Sequence, residues 1–489
     1  MATPIPINRA RFAVDDAAAA TRGMIVKRGG AEATSVTTDS RAVTTGSLFV
    51  ALRGEKIDAH AFVVSALEKG AAIAVIERSR ISAEEYARVG RLDGATVIEV
   101  DDALVALGDL ARAHLERWRA PDKRVLAITG SAGKTTTKEL AATLFGAVGP
   151  THFTAGNLNN RVGVPFVVFG LESAHRYAVL EMGMSLRGEL DAIASFARPD
   201  VSIVTNVGVA HAEGVGGREG VMHEKGAVYR ALAEGGIAIV NADDAFATRA
   251  AEGTRGRVVT FGVGSAAYRL VRREARGDAG SRVVIATPAR ELEVTLPLPG
   301  EAAAIDLVAA LAAQEAATGV SLSPDRIEAA LAAVRLPGRA TVSRLGGDVV
   351  ILDDTYNANP ASMRAALATL AEIAGGRRRV VVLGEMKELG DHAEREHDAL
   401  GDAVAEAGVA LAIGCGGLIG RALDRAAARG IEVVAAPSTE AAAAEAKARV
   451  RPSDAVLVKG SRSVGAERVV AALTEAWPKS AKSASSGTA

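Results

Sequence analysis

Short apolar runs that end on polar residues alternate with amphipathic stretches along most of the chain. That alternation predicts parallel strands joined by helices rather than hairpins. Near the start, Ser47 to Ala51 and Ala72 to Glu77 read as strands, with a helix at Ala61 to Lys69 between them. Further on, the strand VLAIT begins at Val125, Tyr177 to Leu180 runs into Glu181, Val201 to Val204 into Thr205 and Asn206, and Ile237 to Val240 into Asn241. In an open parallel sheet the carboxyl ends of the strands border the ligand crevice, so these polar ends are expected to face one site. The last third repeats the rhythm with Val349 to Leu352, Arg379 to Leu383, Ala410 to Ile413 and Ala455 to Val458.

Two interruptions divide this pattern. RAPDKR, Arg119 to Arg124, breaks the periodicity with proline and charge, and LPGR, Leu336 to Arg339, follows an alanine-rich helix. Domains are therefore expected at 1–120, 121–337 and 338–478, and the small polar tail 479–489 is expected to be disordered. The fold class is α/β: a central, mostly parallel sheet of P-loop type, flanked by a small N-terminal α/β domain and a Rossmann-like C-terminal one. A length of 489 residues accommodates such a division.

Composition narrows the function. Lys and Arg total 57 against 58 Asp and Glu, so no general basic field is available for nucleic acid and any anion must be bound locally. The one cysteine, Cys415, lies in the apolar run AIGCGG and reads as a small core residue compatible with a reducing compartment. The N-terminus lacks a signal-peptide pattern, and no run approaches the ~18 apolar residues of a membrane helix. A cytoplasmic protein without membrane insertion is expected.

The strongest chemical signal is TGSAGKTTTK, Thr129 to Lys138, between a strand and the helical stretch ELAATLF. Gly130, Ser131, Ala132 and Gly133 allow backbone N–H groups to approach phosphate oxygens. Lys134 can reach the terminal phosphates of ATP, while the hydroxyls of Thr135 and Thr136 open the helix, that of Thr135 suited to a magnesium ion. Ile128 stands where the common pattern has its first glycine, leaving a shorter G-x-x-G-K-T core. Glu181, at a strand end, and His211, after TNVGVAH, could complete a magnesium shell around the nucleotide. Taken alone, Lys225 in MHEKGAVYRAL is a helix lysine with no assigned role.

The motifs TTDSRAV, GSLFVAL and DAHAF, then TGSAGKTTTK, GNLNNRVGVP, EMGMSLRGEL and TNVGVAHAEG, then LPGR, ILDDTYNANPASM, LGEMKELG and VLVKGSRSV occur in this order over nearly the whole chain. The set resembles the Mur ligase superfamily of peptidoglycan synthesis. DDTYNANP and VLVKGSRS are most similar to its members that add D-alanyl-D-alanine to a UDP-N-acetylmuramoyl-tripeptide. The DNPR-type segment of the ligases that act one step earlier is absent, and folylpolyglutamate synthases share the phosphate loop but lack the N-terminal domain.

The resemblance implies roles residue by residue. Lys134 would serve the ATP phosphates, Thr135 and Glu181 one magnesium ion, and His211 a second. Lys225 would match a lysine that is carbamylated in the family and so becomes a metal partner. Asp39, Ser40 and Arg41 would lie at the uridine-diphosphate end of the acceptor, with Asn157, Asn159 and Asn160 near its phosphates and acyl chain. Arg339 would approach the ATP phosphates from across the domain boundary, Asp354, Tyr356 and Asn357 would lie near the adenosine, and Lys459 with Arg462 would close over the reacting centre. The activity implied is ATP-dependent amide formation through an acyl phosphate, by a monomer. Three positions depart from the family pattern: Ala302 and Asp306 replace a His and an Asn after Gly300, and Ala227 replaces a Glu near Lys225. The rival readings are another ligase of the superfamily, or a P-loop ATPase in which hydrolysis drives motion.

Overall fold

A computed structural model describes residues 6–54, 56–209 and 212–478. His211 and the tail 479–489 lie outside the described residues.

The chain builds three sheets. The first five strands are β1 (Met24–Lys27), β2 (Ser35–Thr37), β3 (Ser47–Val50), β4 (Ile73–Glu77) and β5 (Thr96–Val100), in the order β1-β5-β4-β3-β2. Only β1 is antiparallel to its neighbour. The helix expected at Ala61 to Lys69 opens as a 3-10 turn, Ala59–Phe62, whose entry is capped by the Asp58 carboxylate, before Val63–Glu68 continues as α-helix.

The central sheet holds β6 (Arg124–Thr129), β7 (Thr151–Phe153), β8 (Tyr177–Glu181), β9 (Val201–Val204), β10 (Ile237–Asn241), β11 (Arg257–Gly262), β12 (Tyr268–Ala275), β13 (Ser281–Ala286) and β14 (Glu291–Leu296). Their order is β14-β13-β12-β11-β10-β9-β6-β8-β7, parallel from β7 to β12. The chain leaves β6 toward β7 and β8 on one side and returns to β9 on the other, so the end of β6 is a switch point where a crevice opens. The antiparallel hairpins β12–β14 extend the sheet beyond the parallel strands expected from the sequence.

The C-terminal sheet contains β15 (Thr341–Arg344), β16 (Val350–Asp354), β17 (Arg379–Gly384), β18 (Leu411–Cys415), β19 (Glu432–Ala436) and β20 (Ala455–Lys459), ordered β15-β16-β20-β17-β18-β19. All but β15 run parallel, and register pairing sets Lys459 beside Asp354 and Leu383 at the strand ends. The α/β class and the mostly parallel sheets agree with the sequence reading.

One apolar core is shared between the first two domains: Phe12, Leu107, Leu110 and Trp118 from the first pack with Phe166, Phe169 and Ile193 from the second. The other face of the central sheet packs Leu126, Ile128, Phe145 and Ile203 against Leu307 and Val308 of the helix Glu301–Thr318. The C-terminal sheet has cores of its own on its two faces. Cys415 is buried there. No helix among the described residues is long and apolar enough to cross a membrane.

Candidate active site

The phosphate loop lies at the end of β6. Ile128 is fully buried in the sheet core, which explains why the loop starts late: the strand runs on through Thr129 before the chain turns. A side chain at Gly130 would put its Cβ 1.8 Å from the Thr205 hydroxyl, so only glycine fits. Gly133 caps the helix Lys134–Gly146 with a φ of 82°, a conformation that favours glycine.

The segment after β9 clasps this loop. Asn206 accepts from the Ala132 N–H (2.9 Å) and donates to the Ala132 carbonyl (3.1 Å), and Thr205 donates to the same carbonyl (2.5 Å). The Gly208 N–H reaches the Ser131 hydroxyl at 2.8 Å. The Lys134 ammonium donates to the Gly130 carbonyl at 2.8 Å, curling over its own loop. Burial pulls the Lys134 pKa below its usual value; Glu181 opposes this, and the like charge of Arg339 adds to it.

Glu181 brings the next group together. It is 2% exposed, and its carboxylate accepts from the Thr135 hydroxyl (2.7 Å) on one oxygen and from the Asn159 amide (2.8 Å) on the other. The Thr154 hydroxyl fixes the backbone beneath by accepting from the Glu181 N–H at 2.9 Å. A hydroxyl and a carboxylate converging beside a phosphate loop are hard oxygen donors, the class that magnesium takes together with nucleotide oxygens and water.

Lys225 ends the helix Gly217–Lys225 and is buried. Burial, then the like charge of Lys134, drives its pKa well below the ordinary lysine value, with Glu224 opposing. Glu224 accepts from the Gly188 N–H (2.9 Å), tying this helix to the loop after β8. Ala227, which departs from the family pattern, is buried in the short helix that follows.

The C-terminal domain reaches the same crevice. Arg339 stacks over Tyr356, its guanidinium carbon 3.8 Å from the ring centre, and Arg462 approaches that ring at 5.5 Å. Asn359 donates to the Ser131 carbonyl (3.2 Å), a direct hydrogen bond from this domain to the phosphate loop. Lys459, 2% exposed, is held within its own domain by Asp354 and by the Asn357 carbonyl (2.9 Å). Tyr356 is half-buried and Asn357 exposed.

In the N-terminal domain, Arg41 pairs with Asp39 through its Nη2 at 2.7 Å, and this hydrogen bond holds the Asp39 carboxyl below its usual range. The Ser40 carbonyl accepts from Lys69 at 2.9 Å. Of the three asparagines, Asn159 joins Glu181. Asn160 accepts from the Gly163 N–H (2.7 Å) at the entry to the helix Gly163–Phe169, and Asn157 is exposed. Thr136 is half-buried in the first turn of its helix.

Sequence reasoning missed two residues here. Asn359 lies inside DDTYNANP and was not singled out there; it also caps the helix Pro360–Ala374. Asp306 was read as a departure, yet it meets the loop: its carboxylate accepts from the Thr137 hydroxyl at 3.0 Å.

Three family models match the chain in order. "Mur ligase family, catalytic domain" covers 32–115, "Mur ligase middle domain" 128–314, and "Mur ligase, glutamate ligase domain" 338–462. The chain belongs to the Mur ligase family. Among its relatives, the UDP-N-acetylmuramoyl-tripeptide–D-alanyl-D-alanine ligase of Escherichia coli (strain K12) is 37% identical over 445 residues, covering 90% of this chain and 94% of the relative. The enzyme of that name from Treponema pallidum (strain Nichols) is 35% identical, covering 93% and 97%. A crystal structure of MurF from Acinetobacter baumannii superposes with a TM-score of 0.84 at 31% identity, covering 97% of this chain and all 100% of that one. MurF ligase from Thermotoga maritima in complex with ADP gives 0.77 at 26% identity, covering 90% and 97%. This Mur ligase is thus an ATP-dependent amide ligase, which sets aside the reading as a motion-driving ATPase.

Proposed function

We propose that this Mur ligase joins D-alanyl-D-alanine to a UDP-N-acetylmuramoyl-tripeptide, forming the pentapeptide used in peptidoglycan synthesis. The observation that carries the reading is the Thr135–Glu181–Asn159 cluster: nucleotide-loop hydroxyl, buried carboxylate and substrate-side amide meet within 2.8 Å contacts. Its likeness over nearly full length to enzymes named for that reaction supports the choice of substrates.

A carboxylate is a poor electrophile, and transfer of the ATP γ-phosphoryl group gives it a leaving group. The loop Gly130–Gly133 holds the polyphosphate, with Lys134, Thr135 and Thr136 at the helix entry. Lys134 and Arg339 neutralise charge on the transferring group. The terminal carboxylate of the tripeptide attacks the γ-phosphorus, releasing ADP and leaving an acyl phosphate. The dipeptide amine then attacks the acyl carbon, and the tetrahedral intermediate collapses with loss of phosphate and a proton. Asp354, Tyr356 and Asn357 border the adenosine, and Lys459 and Arg462 close the reacting centre.

Thr135 and Glu181 would hold one magnesium ion, with His211 and a carbamylated Lys225 serving a second; when bound, magnesium supplies charge neutralisation on the phosphates. The depressed pKa of Lys225 supports its part, because the neutral amine is the form that reacts with carbon dioxide. Asp39, Ser40 and Arg41 take the uridine-diphosphate end, and Asn157, Asn159 and Asn160 the phosphates and acyl chain. The domains divide near 120 and 337, and the enzyme works in the cytoplasm as a monomer.

The test is phosphate release by the purified chain with magnesium and ATP, omitting each acceptor in turn, with mass spectrometry of products. UDP-N-acetylmuramoyl-pentapeptide should form only in the complete mixture. Turnover that accepts a single amino acid in place of the dipeptide would sink this reading in favour of another ligase of the family.

A further inference from the structure

The helix Glu301–Thr318 packs along Lys134–Gly146, the helix that the phosphate loop opens into. The two helices share an apolar core that includes Ala303, Ala304 and Leu307 from the one and Leu140, Ala141 and Leu144 from the other. Asp306 is the exception, a carboxyl group 8% exposed within an apolar layer. It lies over the last glycine of the loop, since a Cβ on Gly133 would fall 2.5 Å from one carboxyl oxygen and 3.1 Å from the other. The carboxylate accepts from Thr137 at 3.0 Å, so it also grips the first turn of the helix below the loop.

Among the described residues few charges act on it. From the C-terminal domain Arg339 acts on it, and from Lys134–Gly146 the polar partner is the Thr137 hydroxyl. The sheet strands beneath present Ile203, Ile239 and Phe261 to this helix, and Pro360–Ala374 brings Thr369 to Gly300 near its start. Burial outweighs the help from Thr137 and Arg339 and pushes the carboxyl up to about 7. Near neutral pH the group is therefore divided between its two forms.

We propose that Asp306 is a positioning residue of the nucleotide loop whose carboxyl group gains a proton as the polyphosphate enters, linking nucleotide binding to proton uptake. The inference rests on Gly130–Thr135 being the nucleotide site. Polyphosphate in that loop adds negative charge beside Asp306 and competes for Arg339, the cation that acts on it among the described residues. Both effects disfavour the carboxylate. The proton comes from the buffer and goes to an Asp306 oxygen. The acid form carries an O–H donor beside a loop built to receive phosphate oxygens, where the carboxylate offers only acceptors.

The sign follows from the linkage. A group whose pKa rises on binding favours the complex at pH below its free value, and that advantage disappears as pH rises through the bound value. Each unit of rise corresponds to about a tenfold change in affinity between those limits. ADP affinity should therefore fall several-fold between about pH 6 and 8.5, through the region where the free carboxyl titrates.

The experiment is calorimetric titration of the full-length enzyme with ADP and magnesium at pH 7, in buffers of different ionisation enthalpy, for the wild type and Asp306→Asn. The wild type should take up more protons than the variant, and its affinity should fall more steeply with pH. The comparison subtracts the contributions of ADP itself, Lys134 and Lys225. Equal proton uptake with parallel pH profiles would overturn the inference while leaving the nucleotide site intact, whereas no ADP binding by the wild type would overturn the site and the inference together. Thr137→Val provides a second test should Asp306→Asn fail to fold. Loss of its hydrogen bond to the carboxylate should move the wild-type midpoint to higher pH, and an unmoved midpoint would count against the proposal.

Discussion

The central domain meets its two neighbours in different ways. Toward the N-terminal domain the seam is a continuation of the core: Phe12 stands edge-on to Phe169 at 6.3 Å, and the Trp118 indole donates to the Glu172 carbonyl at 3.1 Å. Toward the C-terminal domain Val209 packs on that domain's apolar core, joined by discrete polar contacts. Arg273 pairs with Glu372, Arg344 with Asp278, and Asn359 with the Ser131 carbonyl. An apolar seam loses contact over its whole area when it shifts, so it behaves as one body. Separate ion pairs can break and re-form individually, which suits the proposed closing of Arg339 onto ATP. On the proposed assignment of sites, the acceptor-binding end is fixed and the domain that carries Arg339 is left adjustable.

The largest effect that would test this contrast is at the apolar seam. Phe169→Ala should cost about 3–5 kcal/mol and lower the first two domains together in one denaturant transition. Separate transitions for those domains would break the idea of a shared body. At the opposite seam, Arg339→Ala should lower kcat by roughly 10²–10³-fold, about 3–4 kcal/mol of transition-state stabilisation, with the denaturation midpoint nearly unchanged. A comparable loss of stability would mean that Arg339 is part of the scaffold. Arg273→Ala should be the mildest, at about 1 kcal/mol or less in stability. Small-angle scattering without nucleotide should then show a wider spread of C-terminal domain positions, and an unchanged spread would place the hinge control elsewhere.

Much of the site was legible because its parts sit at strand ends, where local pattern is strong. The turn from β6 into Lys134–Gly146 and the glutamate closing β8 both follow from apolar runs that stop at polar residues. What was not legible depended on contacts across long separations. Asp306 meets Thr137 across 169 positions and Asn359 meets Ser131 across 228, and no periodicity encodes either pairing. The hairpins β12–β14 were missed for another reason. YRLVRREA is buried only at Tyr268 and Leu270, and its run of charged residues makes a strand that lies between β11 and β13 look like a loop. The asparagine cluster shows the limit of adjacency: Asn159 and Asn160 are neighbours, yet one braces Glu181 and the other holds the turn that leads into a helix.

The grip of Asn206 on Ala132 has a practical consequence. Because the side chain satisfies both the N–H and the carbonyl of one loop residue, the loop is shaped before any ligand arrives, and binding need not freeze it. The proposed receptor for phosphate is therefore a two-part device whose halves are far apart in the chain. A synthetic peptide spanning Thr129 to Lys138, or the same loop grafted onto a foreign scaffold without the turn after β9, would carry the motif and lose the mould.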